Sequence, residues 1–171
     1  MHKKTKGSVA ELVVAARLMR DGWHVLIPYG ENTRYDLVAE RDGRFVRIQV
    51  KYVTPKNGTL EVNCQSSNNW SVLPYSSKEI DVIAVYNPTD QQVHYVPSAQ
   101  IRKSKMKLRL TDTKNGQRAY VRFAREFPDI LCDRAIEGRY QSGQLGQTVN
   151  LVAHAFRGSN PLLPIFFSLD S

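Results

Sequence analysis

The first apolar positions of the chain are spaced as in an amphipathic helix. Residues 9–20 contain neither glycine nor proline, and Asp21-Gly22 follows them as a stop signal. Ser8 directly precedes this run and is a residue type that favours the N-cap position. We therefore predict a helix over residues 9–20 with Ser8 as its cap.

Shorter apolar runs further along the chain predict β-strands. Asp42-Gly43 separates two of these runs and favours a two-residue hairpin turn, and Asn57-Gly58 is a second turn signal. Residues 80–86 are apolar apart from Asp81, with a continuous apolar run over residues 82–86, which is typical of a strand buried on both faces. The predicted strands are residues 23–28, 35–40, 44–52, 59–65, 80–86 and 92–96, and a later helix is predicted near residues 117–127. One helix, a sheet and further helices predict an α/β fold.

The Asp42-Gly43 turn also predicts which residues face each other in the hairpin. Counting outward from a two-residue turn places Asp36 opposite Gln49. The pairs nearer the turn are then Leu37 with Ile48, Ala39 with Val46, and Arg41 with Arg44. One face of the hairpin becomes apolar, as a core face should be, and the other carries Asp36, Gln49 and Lys51. Side chains opposed in this way lie about 5 Å apart at Cβ, close enough to bind one cation.

Phosphodiester hydrolysis requires this combination of side chains. Hard oxygen ligands, here the Asp36 carboxylate and the Gln49 amide oxygen, hold a magnesium ion that polarises the phosphate and generates hydroxide. A lysine ammonium such as that of Lys51 orients the water or neutralises charge developing on the phosphate. The alternative is an exposed polar sheet face that carries an acid, an amide and a base by chance.

Glu11 is a second candidate carboxylate. On a helical wheel it lies away from Arg17 and Arg20, in a sector otherwise filled by Leu12, Ala16 and Met19. A carboxylate facing an apolar sector is costly unless it is paired or binds a metal. Ser8-x-x-Glu11 also fits a capping box, in which Glu11 folds back to the Ser8 amide. Both interpretations stay open.

These residues carry a family resemblance. Lys6-Gly7-x-x-x-Glu11, then Asp36, then Gln49-x-Lys51 resembles the PD-(D/E)XK nuclease superfamily, in the branch with archaeal Holliday junction resolvases and a group I intron homing endonuclease. The match runs over residues 6–52, and a looser likeness continues through residues 80–86 and 95–97 to about residue 127. The resemblance implies a restriction-endonuclease-like core, a mixed central β-sheet flanked by helices.

The resemblance also implies roles for the four residues. Asp36 would be the central metal ligand and Gln49 a second one, Glu11 would bind the metal or its water shell, and Lys51 would serve the nucleophile. Most members have an acid where this chain has Gln49, so the resemblance also allows an inactive nuclease. The homing endonuclease branch is similar in carrying glutamine there.

The charge of the chain predicts where DNA would bind. The chain has 171 residues, which suits one globular domain, and a formal net charge of +8, which suits a polyanionic partner. Residues 102–125 contain nine basic residues and one acid, so we expect contacts to phosphates or a solvated basic face. Asn68 and Asn69 lie in an amide-rich loop that can read adenine edges or is an ordinary polar loop. The candidate DNA-binding residues are Lys3, Lys4, Lys6, Asn68, Asn69, Arg102, Lys103, Lys105, Lys107 and Arg109.

The cysteines and the apolar runs bear on location. Cys64 and Cys132 have no metal-ligand spacing, and we expect free thiols in a reducing cytosol. No uninterrupted apolar run is long enough to cross a bilayer. A cytoplasmic, nucleoid-associated protein is expected.

The last segment of the chain has a different character. Gly158-Ser159-Asn160-Pro161 can be encoded by a sequence like the T-arm of a tRNA gene, and Gln147-Thr148-Val149-Asn150-Leu151 by a stem and loop with the tyrosine anticodon. We therefore expect a nuclease domain over residues 1–137 and a tail over residues 138–171 that is a read-through of a tRNA gene or a normal extension. A read-through tail should be poorly ordered.

Together these features predict a magnesium-dependent, sequence-specific DNA endonuclease of the homing or restriction kind. The alternatives are a Holliday junction resolvase and an inactive DNA-binding protein on a nuclease fold. One subunit offers one site, so cutting both strands of double-stranded DNA predicts a homo-oligomer, a dimer or tetramer.

Overall fold

A computed structural model of the protein describes residues 1–30, 33–67, 72–101, 103–113 and 121–130. Helix α1 spans Lys3–Arg20. The strands follow in the order β1 His24–Leu26, β2 Leu37–Arg41, β3 Arg44–Tyr52, β4 Thr59–Asn63, β5 Gln65–Ser67, β6 Val72–Pro74, β7 Val82–Asn87, β8 Gln92–Pro97 and β9 Lys105–Arg109. Two short 3-10 turns occupy Ser98–Gln100 and Ala124–Glu126. Within these described ranges no helix is both long and apolar enough to cross a membrane.

Five strands form a mixed central sheet in the order β1-β2-β3-β7-β8. Its neighbours are antiparallel except for β3 and β7, which run parallel. Strand β7 lies inside the sheet and all six of its residues are buried, as the continuous apolar run predicted. The predicted α/β fold with a mixed sheet is confirmed.

The two faces of the central sheet are covered differently. Helix α1 packs Ala10, Val14 and Leu18 on one face. The other face is covered by a two-stranded antiparallel ribbon of β4 and β9. Side chains of β7 alternate between these two layers, which explains why a short apolar strand can be buried on both sides.

Three predicted elements differ from the structure, and the first is the helix at the start of the chain. Helix α1 begins at Lys3 after His2, and Ser8 lies inside it, with its hydroxyl donating to the Lys4 carbonyl at 3.3 Å. The helix extends toward the N-terminus because each added residue supplies a carbonyl that accepts from a backbone amide four residues later. The Lys6 amide, for example, donates to the His2 carbonyl at 3.0 Å. The Ser8 cap and its capping box with Glu11 are therefore corrected.

The helix predicted near residues 117–127 is also corrected, for the part that the structure describes. Residues 121 and 122 are not helical, Phe123 is extended, and only Ala124–Glu126 forms a 3-10 turn. The Arg109 amide donates to the Arg122 carbonyl at 2.9 Å, and Arg109 pairs with Phe123 beside β9. This pairing with a strand edge uses backbone groups that a helix would need. Residues 59–65 likewise form two strands, because the chain changes partner at Cys64 from β9 to β6.

Candidate active site

The hairpin of β2 and β3 has the predicted register. Leu37 pairs with Ile48, Ala39 with Val46, and Arg41 with Arg44. The turn residues Asp42 and Gly43 have φ values of 54° and 75°, the left-handed conformations that a type I′ turn requires. Because the turn length is set locally and side chains alternate along a strand, the count from the turn predicted correctly which residues share a face.

Asp36 lies directly before β2 and is held against β3 by three hydrogen bonds. Its amide donates to the Ile48 carbonyl at 2.8 Å, and its Oδ2 accepts from the Val50 amide at 2.7 Å and from the Gln49 side-chain amide. Burial raises the pKa of Asp36, and the bond from Val50 and the Lys51 charge oppose that rise. Both of the bonds that the carboxylate accepts from these partners end on Oδ2.

Gln49 is 8 % exposed and directs its amide nitrogen, rather than its oxygen, at Asp36. The predicted role as an oxygen ligand requires a half-turn of the amide, which exchanges oxygen and nitrogen at little cost in shape. In the observed orientation the Gln49 amide stabilises the negative charge of the Asp36 carboxylate, as a cation would. The pair can therefore exist with the amide donating to Asp36, or with both oxygens turned to a metal.

Glu11 lies on α1 and interacts electrostatically with Asp36. Burial raises its pKa, and the neighbouring charge of Asp36 raises it further, so the two carboxylates lie within electrostatic reach. The apolar neighbours predicted for Glu11 are wrong, because Leu12 and Met19 are 69 % and 65 % exposed. The helix face that contacts the sheet carries Ala10, Val14 and Leu18, and Glu11 lies at its border.

Lys51 lies on the same side of β3 as Gln49, two residues further along. Its ammonium is 4.9 Å from the centroid of the Tyr75 ring and donates to the Tyr75 hydroxyl at 2.9 Å. Burial lowers the pKa of Lys51, and the charge of Asp36 opposes that change. The Asp36 and Lys51 side chains thus lie within electrostatic reach of each other.

Tyr75 is a site residue that the sequence did not reveal. Burial raises its pKa to about 12, so its hydroxyl stays protonated beside Lys51. The Arg34 guanidinium lies 5.1 Å from the centroid of the same ring, bonds the Ser66 hydroxyl at 2.9 Å and pairs with Glu79 at 3.1 Å. The sequence around Tyr75 does not predict its contact with Lys51, because the two residues are 24 positions apart and come together only in the tertiary fold.

The donor set of the site fits a hard divalent cation. In the described part of the chain no three His, Cys, Asp or Glu residues form a metal-binding group, so two carboxylates and one amide are what the site offers. Magnesium accepts few protein ligands and keeps several waters, which suits this small set. A cation would also relieve the repulsion that raises the pKa of Glu11 beside Asp36.

The predicted DNA-binding residues fall into three groups. Lys3 and Lys4 are exposed at the start of α1, and the Lys6 ammonium is 5.5 Å from the centroid of the Tyr52 ring. Lys103, Lys105 and Lys107 are exposed and Arg109 is half-buried. Arg102, Asn68 and Asn69 lie outside the described residues, as does the predicted tail over residues 138–171.

The basic segment is less one-sided in space than in sequence. Lys107 forms an ion pair with Glu61 of the neighbouring strand at 2.9 Å. Arg125 forms another with Asp112 at 2.6 Å. Strand pairing therefore brings to the segment an acid that its own sequence lacks.

A mixed sheet with a carboxylate, an amide and a lysine at one hairpin and a second carboxylate on the packed helix is the architecture of a nuclease of the restriction-endonuclease-like fold. The model of the PD-(D/E)XK endonuclease family matches residues 1–130, most of the chain, and the chain belongs to this family.

Two solved structures are similar to this chain. A bacterial homing endonuclease, I-Ssp6803I, superposes with a TM-score of 0.62 at 21 % identity, covering 88 % of this chain and 97 % of the other. Hjc of Archaeoglobus fulgidus, a Holliday junction resolvase from an archaeal hyperthermophile, superposes with a TM-score of 0.40 at 16 % identity, covering 61 % and 84 %. No curated protein matches. The likeness to the homing endonuclease is one of fold.

Proposed function

We propose that this protein is a magnesium-dependent DNA endonuclease that cuts at specific sequences and acts as a homo-oligomer. The observation that carries the proposal is the Asp36 carboxylate, which accepts a hydrogen bond from Gln49 and lies within electrostatic reach of Lys51 and Glu11. Partly buried carboxylates with raised pKa values beside a partly buried lysine are typical of active sites, where pKa values are shifted to suit the reaction.

Asp36 and Glu11 would hold the cation with their carboxylate oxygens, and Gln49 would join them after its amide turns. The bound cation supplies Lewis-acid polarisation of the phosphate and lowers the pKa of a bound water. Lys51 is placed to contact a phosphate oxygen and to neutralise charge developing there. Tyr75 holds the Lys51 ammonium by a hydrogen bond of 2.9 Å, which fixes its position before substrate arrives.

DNA as the substrate is supported by charge and by family. The chain carries a formal net charge of +8, and exposed lysines occupy the start of α1 and strand β9. The structurally similar I-Ssp6803I is a homing endonuclease. One chain offers one such site, so cutting both strands at one position requires a second subunit or a second binding event.

A catalytically inactive DNA-binding protein is the second candidate. It is favoured by the Gln49 amide, which donates to the Asp36 carboxylate and stabilises its negative charge without a cation. The two candidates differ in one measurable property, the hydrolysis of DNA.

The test is the nicking of supercoiled plasmid with magnesium and with EDTA. The native chain is compared with Asp36→Ala, Lys51→Ala and the control Lys78→Ala, whose exposed side chain lies outside the site. We expect magnesium-dependent nicking by the native and control proteins and a loss of about 100-fold or more in the two site variants. Equal behaviour of all four proteins contradicts the proposal. Parallel assays on linear duplex and on a four-way junction separate a sequence-specific enzyme from a resolvase.

A further inference from the structure

The ribbon of β4 and β9 has one buried face and one exposed face. Leu60, Val62 and Leu108 are fully buried and pack in the core under the central sheet. Alternation along the two strands turns the remaining side chains outward. The ribbon is therefore a rigidly anchored platform, which holds its outer face more firmly than a loop would.

The outer face carries hydrogen-bond donors and acceptors in alternation. Lys107 faces Glu61 across the strands and forms an ion pair with it at 2.9 Å, and Lys105 faces Asn63. The Lys107 and Glu61 side chains are 70 % and 52 % exposed despite this pairing. The ion pair lowers the pKa of Glu61, so the face presents a carboxylate, an amide and two ammonium groups to solvent.

This face is continuous with the candidate active site. An open cleft of about 330 Å³ is lined by Lys51 of the candidate site together with Val53, Lys56, Glu61 and Asn63. A strand of DNA whose phosphate contacts Lys51 would thus place neighbouring groups against the ribbon.

We propose that the outer face of the β4–β9 ribbon reads base edges in the major groove of the DNA substrate. This inference rests on the proposed function and names the element that would choose the target sequence. Phosphate contacts alone do not explain why this face carries Glu61 and Asn63. The Glu61 carboxylate repels phosphate, and the Asn63 amide has no charge that would attract it. Base edges present both donors and acceptors, which amides, carboxylates and lysines pair with, and a two-stranded ribbon has the width of the major groove.

The experiment separates base reading from phosphate binding. The native chain is bound to a library of duplexes with a randomised centre, and the bound fraction is sequenced. Ca²⁺ is present in place of Mg²⁺, because it also binds to oxygen ligands. The same selection is made with Asn63→Ala, Lys107→Ala and the control Gln92→Ala, whose amide is exposed on the distant strand β8. Affinity for the selected sequence is then measured over a range of salt concentrations.

We expect Asn63→Ala to lose about tenfold or more of its discrimination at one or two adjacent base pairs. Its salt dependence should equal that of the native chain, because asparagine carries no charge. Lys107→Ala should relax the preference at neighbouring positions, and Gln92→Ala should leave the profile unchanged.

Three results would overturn the inference. The first is a native chain that selects no sequence, and the second is an Asn63→Ala profile identical to the native one. The third is a Lys107→Ala variant that binds all sequences more weakly by one factor with a reduced salt slope, as expected of a phosphate contact. The selection is scored by binding, so none of these results bears on plasmid nicking, and loss of nicking would leave the selection interpretable.

Discussion

Replacing Gln49 by glutamate tests the contact on which the candidate site depends. The substitution preserves the side-chain length, removes the amide that donates to Asp36 and places a second carboxylate against the first. Two like charges about 4 Å apart repel by about 4 kcal/mol at an effective dielectric of about 20. The lost hydrogen bond adds about 1–3 kcal/mol, and protonation of one acid limits the total. We expect the free energy of unfolding to fall by about 2–4 kcal/mol near neutral pH without metal.

The pH and metal dependence of this loss follow from the same contact. Like-charge repulsion raises the folded-state pKa of one carboxyl above its unfolded value, so the folded state binds the extra proton. Stability then falls as pH rises through that interval, and acidification restores it. Magnesium should also restore most of the loss, because a cation between two carboxylates replaces the repulsion with attraction and binds the folded state selectively.

Urea unfolding followed by circular dichroism, with EDTA or with magnesium, measures both effects. The matched control is Gln91→Glu, which adds the same charge at an exposed position in the turn between β7 and β8. Suppose that Gln49→Glu is as stable as the native chain in EDTA, or that it loses no more stability than the control. The Asp36–Gln49 contact would then be absent in solution, and the reasoning would be refuted.

Three further predictions concern the surroundings of the site. Tyr75→Phe should lower kcat by about tenfold with little change in KM, and should move the alkaline limb of the pH–rate profile to lower pH, because Lys51 loses a bond that favours its charged form. Glu11→Gln should reduce the loss of stability as pH rises in EDTA, because a carboxylate with a raised pKa destabilises the folded state when it ionises beside Asp36. Gly58→Ala should lower the free energy of unfolding by about 1–2 kcal/mol, since Gly58 has a φ of 68°.

The tyrosine and glycine predictions each have a matched control variant. Tyr95→Phe removes a buried hydroxyl that has no hydrogen-bond partner in the described residues, and it should leave the pH–rate profile unchanged. Gly7→Ala places a methyl group in α1 where the nearest atom, Glu11 Oε1, is 3.9 Å away, and it should raise stability by about 0.5–1 kcal/mol. A shifted profile for Tyr95→Phe, or the same sign for both glycine variants, would contradict the stated reasons. For Glu11→Gln, urea unfolding over a pH series in EDTA is the measurement, and a slope equal to the native one would be the contrary result.

Some of the fold and of the site could be predicted because the responsible signals are local. The Asp42-Gly43 turn has a set length, and strand side chains alternate with a period of two. Counting outward from the turn therefore assigned each flanking residue to one face, as far as Lys51. This placed Asp36, Gln49 and Lys51 together. The apolar run within residues 80–86 likewise indicated a strand that is buried on both faces.

Other features depend on which distant segments meet, and only the tertiary structure decides that. A helical wheel shows that Leu12, Ala16 and Met19 share a sector with Glu11 but not that the sheet packs on Ala10, Val14 and Leu18 instead. Tyr75 lies 24 residues from the Lys51 that it bonds. Glu61 meets Lys107 only because β4 pairs with β9. Such contacts arise from long-range pairing and burial, for which the sequence near each residue carries no periodic signal.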